Sequence, residues 1–144
     1  MDRNELTLAV LAASGGGAHT PVQVQKLFFL IDRKMADSLG GPFFNFVPYD
    51  YGPFDKDVYR AIEELAESGD AEITKNPDTK LNEYRLTVGG QKKGEKILYS
   101  LDAGNIGFIK ELSEFVRSLS FAELVAAIYK AYPEMKANSV FKET

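Results

Sequence analysis

The sequence predicts a mainly helical α+β fold on three observations: apolar residues at helical spacing along most of the chain, capping signatures at helix starts, and one β-rich hairpin pattern near the middle. With 144 residues, 44% of them apolar, the chain is the usual size of one domain and holds enough apolar material for a core. Residues 1–144 are therefore read as a single domain, with a core over about 4–87 and further helices over about 88–144 packing on it.

A first helix is expected from about Asn4 to Ala13, stopped by Gly15-Gly16-Gly17, with a flexible connector after it. Its apolar run is far shorter than the roughly 18 residues of a membrane span. Asp2 and Glu5 offset Arg3, so the basic flank of a secretory leader is missing and the run is read as structural. Thr20-Pro21-Val22-Gln23 then marks a helix start: a hydroxyl cap, proline at the first helical position, and a glutamine that reaches back to the cap. Val24, Leu27, Phe28, Ile31 and Met35 build one apolar stripe along this second helix, which ends at Gly40-Gly41-Pro42.

Phe43 to Tyr49 is aromatic and β-rich and is read as a short strand. Tyr51-Gly52-Pro53 is expected to be a turn opening directly into a third helix, with Phe54, Val58, Ala61, Ile62 and Leu65 as its buried stripe and Gly69 as its stop. Ala71–Lys75 and Glu83–Thr87, separated by the polar Asn76-Pro77-Asp78, form a hairpin. Helices whose last member runs into a two-stranded hairpin have the element order of a winged helix, the hairpin being the wing. Beyond it come helices from Gly89 to about Tyr99 and from about Asn105 to Leu119. A last helix is capped by Ser120 and Glu123, with Phe121, Leu124, Val125, Ile128 and Tyr132 on one face. Two roles stay open for these C-terminal helices, completing the core or supplying a homo-oligomer surface.

The chemistry-bearing residues are sparse. No cysteine is present, which removes disulfides, thiolate metal sites and thiol nucleophiles and points to the cytoplasm. The lone His19 lacks a sequence-local partner and is read as a loop residue. Gly89-Gly90-Gln91-Lys92-Lys93-Gly94-Glu95-Lys96 imitates a phosphate loop, but Glu95 stands where the lysine is needed, so a turn from wing to helix is expected instead. Asp55 with Asp57, and Glu63, Glu64 and Glu67, read as a solvated helix face. No catalytic, metal or cofactor residue is assigned, and the chain is read as non-enzymatic.

Two binding surfaces compete. Lys75, Lys80 and Arg85 on the hairpin, with Lys92 and Lys93 after it, would suit a phosphate backbone and a winged-helix DNA-binding regulator. Against this, the net charge is −4 and the third helix, which would enter the groove, carries more acid than base. Tyr51, Gly52, Pro53, Phe54, Tyr59 and Arg60 instead gather the residue types that dominate protein hot spots. The competing view is that Tyr51 and Tyr59 only pack the turn against the second helix.

Several motifs run together here: Gln25-Lys26-Leu27-Phe28-Phe29-Leu30, Tyr51-Gly52-Pro53 followed by Val58-Tyr59, Tyr84-Arg85-Leu86-Thr87, and the closing Ile128-Tyr129 to Tyr132-Pro133. In these the chain resembles the Panacea domain family, the SocA-like antitoxin domains with a winged-helix-like core, over roughly Leu6 to Thr87. Leu30-Ile31-Asp32 departs from the more usual aromatic-alanine-glutamine continuation. The resemblance implies an antitoxin-like role in bacterial or phage toxin–antitoxin systems, in which the domain binds a toxic partner protein and restrains it without catalysis.

Overall fold

A computed structural model describes residues 1–142. In chain order it contains α1 (Arg3–Ala12), α2 (Pro21–Leu39), β1 (Val47–Tyr49), β2 (Gly52–Phe54), α3 (Lys56–Glu67), β3 (Ala71–Lys75), β4 (Asn82–Leu86), α4 (Val88–Leu98), α5 (Ala103–Ser118) and α6 (Phe121–Ala131). A 3-10 turn over Pro133–Lys136 follows. The helix α3 leading into the β3–β4 hairpin makes the winged-helix-like core, and the fold is α+β.

Local chemistry sets most boundaries. Thr20 and Gln23 exchange side-chain-to-backbone hydrogen bonds at the start of α2, and Ser120 and Glu123 do the same for α6, each pair satisfying amides that the first turn leaves without partners. Asp2 and Glu5 form a third such pair on α1, a role their charges alone do not announce. Asp102 and Thr87 cap α5 and α4.

Helix α2 runs through the centre. The sequence predicts one apolar stripe on it, yet every residue from Val24 to Asp32 is buried, because α5, α6, α3 and the β1–β2 hairpin pack on its different sides. Gln25, Lys26 and Asp32 are thereby buried too. Asp32 answers its burial by accepting from the Phe43 and Phe44 amides at 2.9 Å each, which pins the segment after α2. Burial still holds its carboxyl above the usual range, and those two amides work against the shift.

Three expectations change. Of the strand expected over Phe43 to Tyr49, only Val47–Tyr49 is a strand. Tyr51-Gly52-Pro53 does not open the third helix: Gly52–Phe54 is a strand, Val47 facing Phe54 and Tyr49 facing Gly52, with the turn at Asp50 and Tyr51. Phe54 therefore leaves the helical stripe, and Asp55 caps α3 by accepting from the Asp57 amide at 2.9 Å. The reason is long-range. The Gln25 carboxamide donates to the Asp55 carbonyl and accepts from the Asp55 amide, both at 2.9 Å, so α2 holds residue 55 extended and delays the helix.

The connector after α1 is more structured than expected. His19 exchanges both backbone hydrogen bonds with Tyr84, at 2.8 and 2.9 Å, adding a one-residue third strand to the wing. Its side chain is buried and is no ordinary loop residue. Helix α4 starts at Val88, one residue before the expected Gly89, and buries Gly90 against the Asp70 backbone and Gly94 where α4 crosses α1.

Candidate functional site

Tyr51, Gly52, Phe54 and Tyr59 come together on one pocket of about 310 Å³, formed where the β1–β2 hairpin meets α2, α3, α6 and the loop at the tip of the wing. Tyr49, Leu81 and Phe121 complete its rim and Pro21, Val22, Gln25, Lys26 and Asp50 its remaining walls. The rings support one another: Tyr49 stacks on Phe54 with centroids 5.0 Å apart, Phe54 meets the edge of Tyr59, and Tyr51 meets Phe121 edge-on at 5.1 Å. Tyr49, Tyr51, Leu81 and Phe121 nevertheless remain 52%, 44%, 51% and 46% exposed. Phe121, expected on the buried face of the last helix, is therefore a rim residue, because the first turn of α6 overhangs the hairpin. Four large apolar side chains held open around one concavity form a contiguous exposed patch, and such patches mark binding surfaces more than isolated exposed residues do.

One cation lines this apolar pocket. Lys26 is only 3% exposed, and its ammonium donates to the Pro53 carbonyl over a long 3.4 Å. It forms no ion pair among the described residues. Burial lowers its pKa from 10.5 to about 8, so at neutral pH the pocket carries a charge that is short of both water and a counter-ion. Gly52 makes room for it: with φ at +104° the position suits glycine, and a Cβ there would stand 3.5 Å from the Lys26 nitrogen and 3.3 Å from the Tyr129 ring. Burial, with Tyr84 alongside, pushes the Tyr59 hydroxyl up to about 12, so that wall stays neutral.

Pro53 and Arg60 take different places from the other predicted residues. Pro53 is buried and contributes its carbonyl to Lys26. Arg60 pairs with Asp57 at 3.4 Å and lines a neighbouring cleft of about 600 Å³ between α3 and the wing. That cleft shares Tyr59 and Leu81 with the pocket and gathers Lys56, Arg60, Lys75 and Lys80 around Glu63.

The basic residues of the hairpin region do not form one patch. The strand register pairs Arg85 with Glu72, one step out of phase with Lys75 and Asn82, which puts Arg85 on the opposite face of the wing. Lys93 forms an ion pair with Asp70 at 3.0 Å, and Lys92 is exposed on α4. Lys75 and Lys80 alone join α3.

Lys26, Tyr49, Leu81 and Phe121 are site residues that the sequence does not single out. Lys26 lies within the Gln25-Lys26 motif, and Tyr49 beside Tyr51 is an aromatic signal. The closeness of Phe121 and Leu81 to either has no local signature.

No protein-family model matches the chain, and no curated protein matches it. Among solved structures it is similar to a mutant MarR from E. coli complexed with operator DNA, at 16% identity over 91% of this chain and 84% of that one, with a TM-score of 0.29. A likeness of that degree carries nothing about binding, and the winged-helix-like description rests on the element order and the α3–wing geometry. No helix among the described residues is long and apolar enough to cross a membrane.

Proposed function

We propose that this chain is a non-enzymatic, antitoxin-like protein-binding module of the cytoplasm, which holds and restrains a toxic partner through the aromatic pocket of the β1–β2 hairpin. The observation that supports it is the rim of exposed Tyr49, Tyr51, Leu81 and Phe121 around a pocket that already contains Tyr59 and Phe54. Aromatic anchors around a desolvated hollow are the usual form of a protein hot spot. The resemblance to Panacea domains supplies the antitoxin part, and its Tyr51-Gly52-Pro53 motif falls at this site. Co-expression with the protein encoded beside it tests the reading. Tyr51→Ala and Phe121→Ala should each weaken the complex at least about tenfold, near 1.4 kcal/mol, and abolish rescue. Phe115→Ala, exposed on α5 and outside the pocket, should change neither. Undiminished binding by both pocket variants would overturn the proposal.

The α3–wing cleft favours a second reading, a winged-helix DNA-binding regulator. Lys56, Arg60, Lys75 and Lys80 there outnumber Glu63, although Glu64 and Glu67 lie further along the same helix. If four phosphates are neutralised, log K should fall with log salt at a slope of about −3 to −4, and each Lys→Glu change in the cleft should reduce that slope by about one. Filter binding of duplex DNA from 50 to 200 mM salt reads this directly, in the order-of-magnitude range where the effect is steep. Binding that ignores salt, or that survives Lys75→Glu and Lys80→Glu unchanged, removes this reading.

A further inference from the structure

The Lys26 ammonium is a buried cation with one long hydrogen bond and no ion pair among the described residues, and it lines a mainly apolar pocket whose other charged residue, Asp50, is exposed. A partner's aromatic or aliphatic side chain would fill the walls yet leave this charge uncompensated. Filling the walls and neutralising the charge together requires an apolar group with an anion beside it.

We propose that the pocket is a receptor for a polypeptide C-terminus: the last side chain of the partner, apolar, lies among Tyr49, Tyr51, Phe54 and Phe121, and its free α-carboxylate pairs with the Lys26 ammonium. The inference rests on the protein-binding reading of the same surface and specifies what that surface recognises.

Charge and shape select this occupant. A carboxylate brings one negative charge to one positive charge, whereas a phosphate group would bring close to two and leave the excess desolvated. Exposed Asp50 at the pocket adds a repulsive charge that penalises a dianion further. An internal aspartate or glutamate offers only methylenes to the rings, and its two flanking peptide groups would be pressed against apolar walls without partners. A chain end enters with a single exit and carries its whole last side chain inward. Two of the three ammonium protons have no acceptor among the described residues, which is the number a carboxylate takes up with its two oxygens. Gly52 keeps a side chain away from the nitrogen, where a Cβ would stand 3.5 Å off.

Full-length protein is titrated calorimetrically with four probes: N-acetyl-Ala-Phe with a free carboxylate, its C-terminal amide, N-acetyl-Phe-Asp-amide carrying an internal acid, and phenyl phosphate. The free acid should bind saturably, at least tenfold tighter than the amide, the internal acid or the phosphate. Lys26→Met should bring the acid down to the level of the amide, while Lys26→Arg retains part of the preference. Because it removes a desolvated charge, Lys26→Met should melt no lower than the parent, and its retained weak binding of the amide shows the pocket intact. The 15N-detected titration of Lys26 should move upward from about 8 when the free acid is bound. Equal binding of acid and amide, or equal binding of the internal acid, overturns the proposal. The two readings fail separately: loss of acid preference with a partner still dependent on Tyr51 and Phe121 ends only the terminus proposal. Acid preference without any partner on that face ends only the antitoxin-like reading.

Discussion

Gly90→Ala should destabilise the protein by about 3 kcal/mol, the larger end of the cost of forcing atoms into a closely packed site. Helix propensity alone predicts the opposite sign, since alanine is favoured over glycine by about 1 kcal/mol in a helix interior. Contact decides it. A Cβ at Gly90 would fall on the Asp70 carbonyl oxygen, and one at Gly94 would fall on the Leu8 carbonyl and lie 2.7 Å from the Ala12 Cβ. Both obstacles are backbone or a rigid methyl, so neither can rotate away. The Asp70 carbonyl also accepts from the Thr87 amide at 3.0 Å, and Gln91 donates to the Ala12 carbonyl at 2.9 Å, so moving α4 outward would break bonds that anchor it. Gly94→Ala should cost about 2 kcal/mol for the same reason. Gly107 in α5 has open space around its would-be Cβ, and Gly107→Ala should stabilise by roughly 0.5–1 kcal/mol. Urea unfolding of the three variants checks the contrast; stabilisation by all three would show that α4 is not tightly apposed to Asp70 and α1.

Acidification should weaken the fold through His19. The imidazole is 1% exposed, and neither ring nitrogen has a hydrogen-bond partner among the described residues. Burial first, and then the Arg117 charge, lower its pKa from 6.5 to about 4, against a smaller opposing influence of the neighbouring Tyr84 backbone. Between those two values the unfolded chain binds a proton that the folded chain refuses. Stability therefore falls as pH drops from 6.5 to 4, by on the order of 3 kcal/mol in all, and is unaffected by this group above 6.5. His19→Leu should remove that slope, keeping the backbone pairing with Tyr84. Asp32, whose carboxyl is raised, contributes with the opposite sign, and the difference between parent and variant cancels it. Parallel pH profiles of the two proteins would exclude His19 as the source.

Where the chain states its structure locally, the sequence was a sufficient guide. Thr20 with Gln23 and Ser120 with Glu123 mark helix starts by side chains three residues apart, and both capping boxes form as read. The wing strands and α3 are likewise declared by short-range pattern. What escaped reading depends on distant partners. Strand β2 exists because Gln25, thirty positions earlier, holds Asp55 extended, and nothing around Tyr51-Gly52-Pro53 announces that. The complete burial of α2 follows from elements that arrive later in the chain, so Lys26 reads as an ordinary surface lysine until α6 and the hairpin close over it. The split of the basic residues is a matter of strand phase: a two-residue period separates Arg85 from Lys75 although both belong to one hairpin. A third of the candidate pocket, Tyr51, Gly52, Phe54 and Tyr59, lies in one stretch of sequence and is visible there; Lys26, Leu81 and Phe121 join it only in three dimensions.

The C-terminal stretch reaches back to the hairpin that carries Tyr49 and Tyr51. The Val140 amide donates to the Asp50 carbonyl at 2.9 Å, Asn138 donates to the Pro48 carbonyl, and the Ser139 hydroxyl bridges Tyr129 and Asp50. At the other end, Arg3 donates twice to the Phe43 carbonyl and lies over the Phe44 ring. A short hairpin with few bonds of its own is thus held by residues 138–140, and the segment leading into it by Arg3. On a translating ribosome, α1 to α3 and the wing emerge early, but the clasp around residue 50 waits for residue 140. The hairpin is therefore tethered only once residues 138–140 have been made, and a chain cut before them would keep much of its helical framework with that hairpin untied.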